Sequence, residues 1–181
     1  MRPPEQEQSR PDKHYTDAVI PPAELRLRPI GVVRSPHKER FAAPRQPGGT
    51  PTPHAATATI ELRDDLADAT RDLACFSHIW LIYWLHLNRG WNPLVRPPGR
   101  GGTPRGLLAT RAPHRPNPIG LSALRLIACD RTNLTVEAGD LLDGTPVLDI
   151  KPYLPYCDRI DQANSGWLQP PSPSAPHGVR S

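Results

Sequence analysis

Proline and glycine cut this chain into short pieces, and the pieces alternate in polarity instead of repeating with a helical period. Among 181 residues there are 25 prolines, far above ordinary usage, gathered at both ends and in three internal loops. Proline lacks the amide hydrogen that a helix interior or a central strand needs, so long regular elements are excluded wherever it recurs. Between the breaks, residues 25–34 set Leu25 and Leu27 against Arg26 and Arg28 and continue as Ile30-Gly-Val-Val-Arg34. Residues 58–62 alternate again, as a half-exposed strand does. Further strands are predicted at 78–87, 106–110, 121–129, 133–138 and 146–150. Residues 64–73 are the one helix candidate, with Asp64 and Asp65 at the N-terminal end and Leu66, Ala69 and Leu73 on one face. Many short strands, one helix and no βαβα alternation predict a mainly β fold. The expected architecture is a compact β-barrel with one or two short helices, not a doubly wound sheet of the Rossmann type.

The length allows one domain with a proper core. Residues 1–24 are polar, proline-rich and without periodicity, and are expected to be a disordered extension. The barrel domain is expected over 25–161. A Pro/Ser-rich tail over 162–181 is also expected to be disordered, apart from Trp167, which is suited to dock onto the body. The 22 basic and 18 acidic residues leave a net charge of only +4, which argues against a polybasic, histone-like protein. The longest apolar run, 79–87, is strand-sized and interrupted by His86, so no membrane span is expected. With no apolar signal-peptide core, a cytoplasmic protein is expected. Cys75, Cys129 and Cys157 are widely spaced, without a CxxC pair. They read as buried free thiols, not a disulfide frame or a zinc site.

Charge is local. From Leu73 to Cys129 there are seven arginines (Arg89, Arg96, Arg100, Arg105, Arg111, Arg115 and Arg125) and no Asp or Glu. Such a stretch sets a positive field over part of the surface, suited to an anionic partner. Within it, Pro113, Pro116 and Pro118 stiffen the backbone that presents Arg115 and Asn117. Pro44-Arg-Gln-Pro47 repeats the device with Arg45 and Gln46. Split by strand parity, residues 78–86 place His78, Trp80, Ile82, Trp84 and His86 on one face, and Ile79, Leu81, Tyr83 and Leu85 on an ordinary core face. His78 reads as a buried, hydrogen-bonded structural residue and His86 as a functional one. No Asp, Glu or Cys lies at ligand spacing from either, so no metal is expected. Asp140, Asp143 and Asp149 cluster in a short stretch as a counterweight to a cation. Asp143 also fits an Asp-Gly turn, and Asp149 with Lys151 also fits a simple surface pair.

Taken in order, Ile30-Gly-Val-Val-Arg-Ser-Pro36, Lys38-Glu-Arg-Phe41, Pro44-Arg-Gln-Pro-Gly48, Phe76-Ser-His-Ile-Trp80, Ala109-Thr-Arg111, Arg115-Pro-Asn-Pro-Ile-Gly120, Asp143-Gly-Thr-Pro146 and Asp149-Ile-Lys-Pro-Tyr153 closely resemble the TrmO/TsaA-like family, also called YaeB or VirR-like. The resemblance covers about residues 29–158. It implies a β-barrel, S-adenosylmethionine as methyl donor, a homodimer, and N6-methylation of threonylcarbamoyladenosine at position 37 of tRNA. It implies donor contacts from Pro44, Arg45, Gln46, His86, Leu87, Arg111, Leu121, Asp140, Leu141 and Asp143. The usual nucleotide fingerprint is absent: Gly99-Arg-Gly-Gly102 sits in a Pro/Arg loop, not between a strand and a helix. Longer members continue into a further domain after Lys-Pro-Tyr, so this chain reads as a short, catalytic-domain-only form.

The implied chemistry needs a group to take a proton from a weakly nucleophilic carbamoyl nitrogen. Asp143, Asp149, His86 and Tyr153 are the candidates, and the sequence does not choose among them. Arg115, Asn117 and Lys151 are candidate substrate binders, with Arg111 and Arg115 suited to a carboxylate or phosphate. Two other functions fit the same residues: a methyltransferase acting on a small anionic metabolite, and a non-catalytic RNA- or nucleotide-binding barrel.

Overall fold

A computed structural model describes residues 24–38, 56–98 and 102–169. The strands among these residues are β1 (Gly31–Arg34), β2 (Thr57–Leu62), β3 (His78–Trp84), β4 (Leu94–Val95), β5 (Arg105–Gly106), β6 (Ile119–Asp130), β7 (Asn133–Glu137) and β8 (Pro146–Pro152), and the one-turn helix α1 (Pro155–Asp158) comes after them. Six of the strands close into a barrel in the order β1-β2-β7-β6-β3-β8, with every pairing antiparallel. β4 and β5 form a separate ribbon in the long connection from β3 to β6.

Alternation decides what fills the barrel. Ile79, Leu81 and Tyr83 of β3 point inward, as do Gly120, Ser122, Leu124 and Leu126 of β6, while their neighbours face out or are half-buried. With Val33, Ile60, Leu134, Val136 and Val147 they make one continuous core. Each large apolar side chain removed from water contributes roughly 1.5–3 kcal/mol. A small barrel has no room for more than these side chains, so binding must happen at its ends or outside.

The ends differ because the strand directions are fixed. Call the rim at Trp84 and Ile119 the upper one. The segment after β1, the β3–β6 connection and the β7–β8 turn all leave from it. The lower rim holds the β2–β3 connection, the tight β6–β7 hairpin at Arg131 (φ 50°) and the chain after β8. A bulge on β8 sets Tyr83 opposite Val147 and Ile82 opposite Asp149, leaving Leu148 as the extra residue.

Several sequence expectations are corrected. The strand expected over 25–34 begins only at Gly31, and Leu25 and Leu27 are exposed. The helix expected over 64–73 is a series of tight turns, with 3-10 turns at Asp64–Leu66 and Leu73–Cys75. Its amides bond three residues back, as Leu66 to Arg63 and Leu73 to Thr70 do. Asp65 pairs with Arg63 instead of capping, and Asp72 turns left-handed at φ 65°. The strand expected over 106–110 is a 3-10 turn at Leu107–Ala109, directly after β5. The strand expected over 78–87 stops at Trp84, where residues 86–87 turn away. Cys75 and Cys157 are exposed and Cys129 is half-buried, not sealed in the core. His78 is exposed, its Nδ1 2.9 Å from the Ser77 hydroxyl. Trp167 does dock onto the body. Of the extension expected over 1–24, residues 1–23 lie outside the described residues, as do residues 170–181 of the tail expected over 162–181, whose residues 162–169 are described and include a 3-10 turn at Gly166–Leu168.

Gly120 is a packing requirement of this design. A Cβ there would enter the Tyr83 ring, whose Cδ2 would lie 2.8 Å away. Gly120→Ala is expected to cost about 1–3 kcal/mol of unfolding free energy. The cost should shrink when Tyr83→Leu is already present. Urea titrations of the two single variants and the double variant measure this coupling.

Candidate functional site

The upper rim is assembled by a backbone zipper that continues past the end of β1. Val33 N–H donates to Thr145 O (2.9 Å), Gly144 N–H to Val33 O (2.8 Å) and Asp143 N–H to His37 O (2.9 Å). The Asp143 carboxylate completes it, accepting from Ser35 N–H at 2.9 Å and from Lys38 Nζ at 2.7 Å. The Lys38 hydrogen bond, then that from Ser35, holds the Asp143 carboxyl below the usual carboxylate range. The Asp-Gly turn expected at 143–144 is present, with Gly144 at φ 75°. Asp143 thus ties the segment after β1 to the β7–β8 turn.

Asp140, three residues earlier, is in the opposite situation. It is half-buried, and its Oδ1 is buried with no hydrogen-bond partner among the described residues. Burial pushes its carboxyl above the usual range, with Arg111 and His37 opposing from a distance. Arg111 also acts on the buried Tyr83 phenol. Burial raises that group's pKa, the Ser122 hydroxyl 3.1 Å away counters it, and Asp140 and Arg111 act with opposite signs. Asp140, Arg111, Tyr83 and His37 therefore share one electrostatic neighbourhood at the upper rim. An unpartnered buried carboxylate oxygen with an exposed arginine in its field is unusual in a folded protein and makes this rim the candidate site.

The loop carrying Arg111 is braced from within. Thr110 Oγ1 donates to Leu107 O (2.8 Å) and accepts from Ala112 N–H (3.2 Å). Arg115 Nη1 donates to Thr110 O at 2.9 Å and to Ala112 O at 3.4 Å. Arg115, expected to reach substrate, is half-buried and engages its own loop's carbonyls. Arg111 is exposed and enters none of the ion pairs among the described residues.

The other expected site residues divide by position. His86 lies edge-on to Trp84 (6.4 Å between ring centres) at the upper rim, with Leu87 exposed next to it. Leu121 is exposed on β6, two residues from Ile119 at the same rim. The Leu141 side chain is sealed in the core. Asn117 is exposed and its backbone carbonyl accepts from Ile119 N–H. Asp149 pairs with Lys151 at 2.8 Å on the barrel's outer surface. Tyr153 belongs to the lower rim, packed on Trp80 and His78. It therefore lies about 20 Å, the length of β3, from His86. The candidates for proton transfer, Asp143, Asp149, His86 and Tyr153, are not brought together. Pro44, Arg45 and Gln46 lie outside the described residues.

Parity assigned Tyr83 to ordinary core, and nothing in the sequence singled out His37. Their proximity to Arg111 and Asp140 comes from barrel closure, which pairs Tyr83 with Gly120 and brings its hydroxyl to that of Ser122. An open groove of about 430 Å³ lies at the lower rim, between Ile30, Leu62, Leu73, Phe76 and Ile150. Asp149 is the one expected site residue on it. Among the described residues no three His, Cys, Asp or Glu side chains group as metal ligands.

Asp140 makes a pH-dependent contribution whose sign is fixed. Its folded carboxyl has a raised pKa, so the protonated form is free of penalty in acid, and the penalty appears as pH rises through the folded value. Asp140→Asn should therefore raise the unfolding midpoint at pH 7 and leave it unchanged near pH 3. Denaturant titrations at the two pH values test this, and an equal shift at both would contradict it.

The family model of the tRNA-methyltransferase O N-terminal domain matches residues 32–159. The chain is 45% identical over 147 residues to a tRNA (adenine(37)-N6)-methyltransferase of Escherichia coli, covering 77% of this chain and 62% of that one. It is 43% identical over 137 residues to a probable S-adenosyl-L-methionine-binding protein of Methanothermobacter thermautotrophicus, covering 76% of this chain and 96% of that one. A crystal structure of TrmO from Pseudomonas aeruginosa superposes with a TM-score of 0.67 at 41% identity, over 83% of this chain and 65% of that one. The chain thus spans less than two thirds of these bacterial relatives and nearly all of the archaeal one. The closed barrel and the matched residues together make the chain a member of the family of the tRNA-methyltransferase O N-terminal domain.

Proposed function

We propose that this protein is an S-adenosylmethionine-dependent methyltransferase that methylates N6 of threonylcarbamoyladenosine at position 37 of tRNA. The observation that carries the reading is the meeting of Arg111 and the Asp140–Asp143 turn at one rim, in a chain 45% identical to an enzyme named for methylation at adenine 37. The residues fit the donor's chemistry. Arg111 suits the donor's carboxylate, and the orphaned Asp140 oxygen suits a hydroxyl or ammonium. Exposed Leu121 and Trp84 offer an apolar wall. Bound there, the donor supplies an electrophilic methyl group on a sulfonium.

The protein's part in such a displacement is alignment, exclusion of water and removal of one proton. Asp143 is held ionised by Lys38 and Ser35, so its role is to fix the rim. Asp149 is engaged with Lys151. Asp140 and His86 are the upper-rim groups left to accept a proton, and burial raises the proton affinity of Asp140 above that of an ordinary carboxylate. Arg89 and Arg96, exposed in the acid-free connection with Trp91 and Leu94, suit RNA phosphates and an unstacked base. Trp84, Ile119 and Leu121 expose a contiguous apolar face on neighbouring strands β3 and β6. We assign this face to a homodimer contact beside the donor site.

The archaeal relative, matched over 96% of its length, is named only for donor binding. A second reading on the same donor site is methyl transfer to a small anionic metabolite, for which the exposed Arg111 would supply the counter-charge. Mass spectrometry of nucleosides from tRNA incubated with the protein and labelled donor separates the two. Label in the position-37 nucleoside is expected, and label only in free nucleosides or metabolites would support the second reading. Arg111→Ala should weaken donor binding by about tenfold or more, since a charge-assisted hydrogen bond is worth roughly 1.5–3 kcal/mol. Arg89→Ala and Arg96→Ala should each lower the salt dependence of RNA binding by about one ion, leaving donor binding unchanged.

A further inference from the structure

After the barrel is complete the chain does not simply leave it. It is anchored first at the lower rim, where Asp158 Oδ2 accepts from Leu154 N–H (2.7 Å) and from Trp80 Nε1 (3.0 Å). It is anchored again at Trp167, whose indole Nε1 donates to the backbone carbonyl of Ala109 at 2.9 Å, 58 residues away in sequence. The Arg105 guanidinium lies over the same ring, 5.0 Å from its centre. The turn that presents Trp167 is itself built: Gly166 adopts φ 53° and its N–H donates to Asn164 Oδ1 (3.1 Å), opening the 3-10 turn Gly166–Leu168.

The contact point matters because Arg111 lies just beyond it. Ala109 ends the 3-10 turn Leu107–Ala109, two residues before that arginine. The internal braces of the loop, from Thr110 and Arg115, fix its shape, and Leu107 N–H donating to Pro93 O (2.9 Å) and the His114 Nδ1–Arg89 O contact (3.2 Å) tie it to the connection that precedes it, not to the rest of the body. Trp167 supplies an external tie on the side of the loop that leads into Arg111. It is not part of the barrel core, so removing it leaves the fold's main stabilising cluster intact.

We propose that Trp167 is a positioning residue for the donor site: by holding Ala109 and Arg105 it fixes the loop from which Arg111 reaches the rim. The segment 159–169 is then a strap between the lower-rim anchor and the site loop. The role in donor binding rests on the methyltransferase reading above; the clamp itself does not.

The experiment uses the full chain with Trp167→Ala, Trp167→Phe and the unaltered protein. Limited trypsin digestion is monitored by mass spectrometry at the Arg111–Ala112 bond, since cleavage after Arg115 is blocked by Pro116. Calorimetry with S-adenosylmethionine is run in parallel. Trp167→Ala should speed that cut several-fold and weaken donor binding by about three- to tenfold, the size of one lost hydrogen bond. In turnover the loss should fall on the donor KM, with kcat nearly unchanged. Trp167→Phe, which keeps a ring under Arg105 but has no N–H to donate, should fall between. An unchanged cleavage rate overturns the clamp. Faster cleavage with unaltered donor affinity overturns the positioning role. If the unaltered protein binds no donor, the methyltransferase reading fails, and the cleavage rates still decide whether the clamp exists.

Discussion

The barrel is closed by very little. β1 meets β8 through two residue pairs, Gly31 with Val147 and Val32 with Pro146, and Pro146 has no amide hydrogen to give. Flanking bonds extend the seam: Ile30 N–H donates to Val147 O below it, and Val33 N–H donates to Thr145 O above it. Gly31 is needed there because a Cβ would press into the Leu62 side chain and the backbone of β2. The seam brings the segment after β1 alongside the β7–β8 turn, where Asp143 then locks the two together. Without closure, Ser35, His37 and Lys38 would have no fixed relation to Asp140 or Asp143.

The same seam explains why two aspartates three residues apart behave oppositely. Asp143 faces donors that the zipper delivers, so it is ionised and structural. Asp140 immediately precedes the core residue Leu141 and is half-buried, with its Oδ1 left without a hydrogen-bond partner among the described residues. A fold shaped for stability alone would place a neutral side chain there. A carboxylate at that point, in the fields of Arg111 and Tyr83, costs stability, and the proposed donor site is the reading that accounts for it.

Much of this was legible in the sequence. The parity of residues 78–84 separated the buried Ile79, Leu81 and Tyr83 from the outward His78, Trp80 and Trp84, because a barrel strand has one wet face and one dry one. Hairpin and turn positions were readable from local chemistry, as at the Asp143-Gly144 turn. The failures share a cause: each depended on a partner that linear spacing does not reveal. The 64–73 segment has helical spacing, but the Asp65 carboxylate bonds to Arg63 and the middle of the segment folds over the lower rim, where tight turns stand in place of the helix. Arg115 looked like a ligand-binding arginine, yet nearby carbonyls claim its guanidinium. Asp149 and Tyr153 belong to a motif that reads as catalytic, and no linear pattern shows that β8 carries them away from the upper rim.

That motif has an architectural explanation. Lys151-Pro-Tyr153 ends β8, and Tyr153 N–H donates to His78 O while the Tyr153 ring packs on Trp80 at 5.5 Å. Pro155 opens α1, and its last residue, Asp158, closes on Trp80 Nε1 and on its own turn. Lys151 pairs with Asp149 on the outer face of β8 at 2.8 Å. The conformational freedom removed at Tyr153 and Asp158 fixes where the next residues set off from the barrel. A chain released without that anchor would have to find Ala109 from a much wider ensemble, and loop-closure entropy grows with the length left free. The lower-rim motif thus bears on the upper-rim loop through the chain between them.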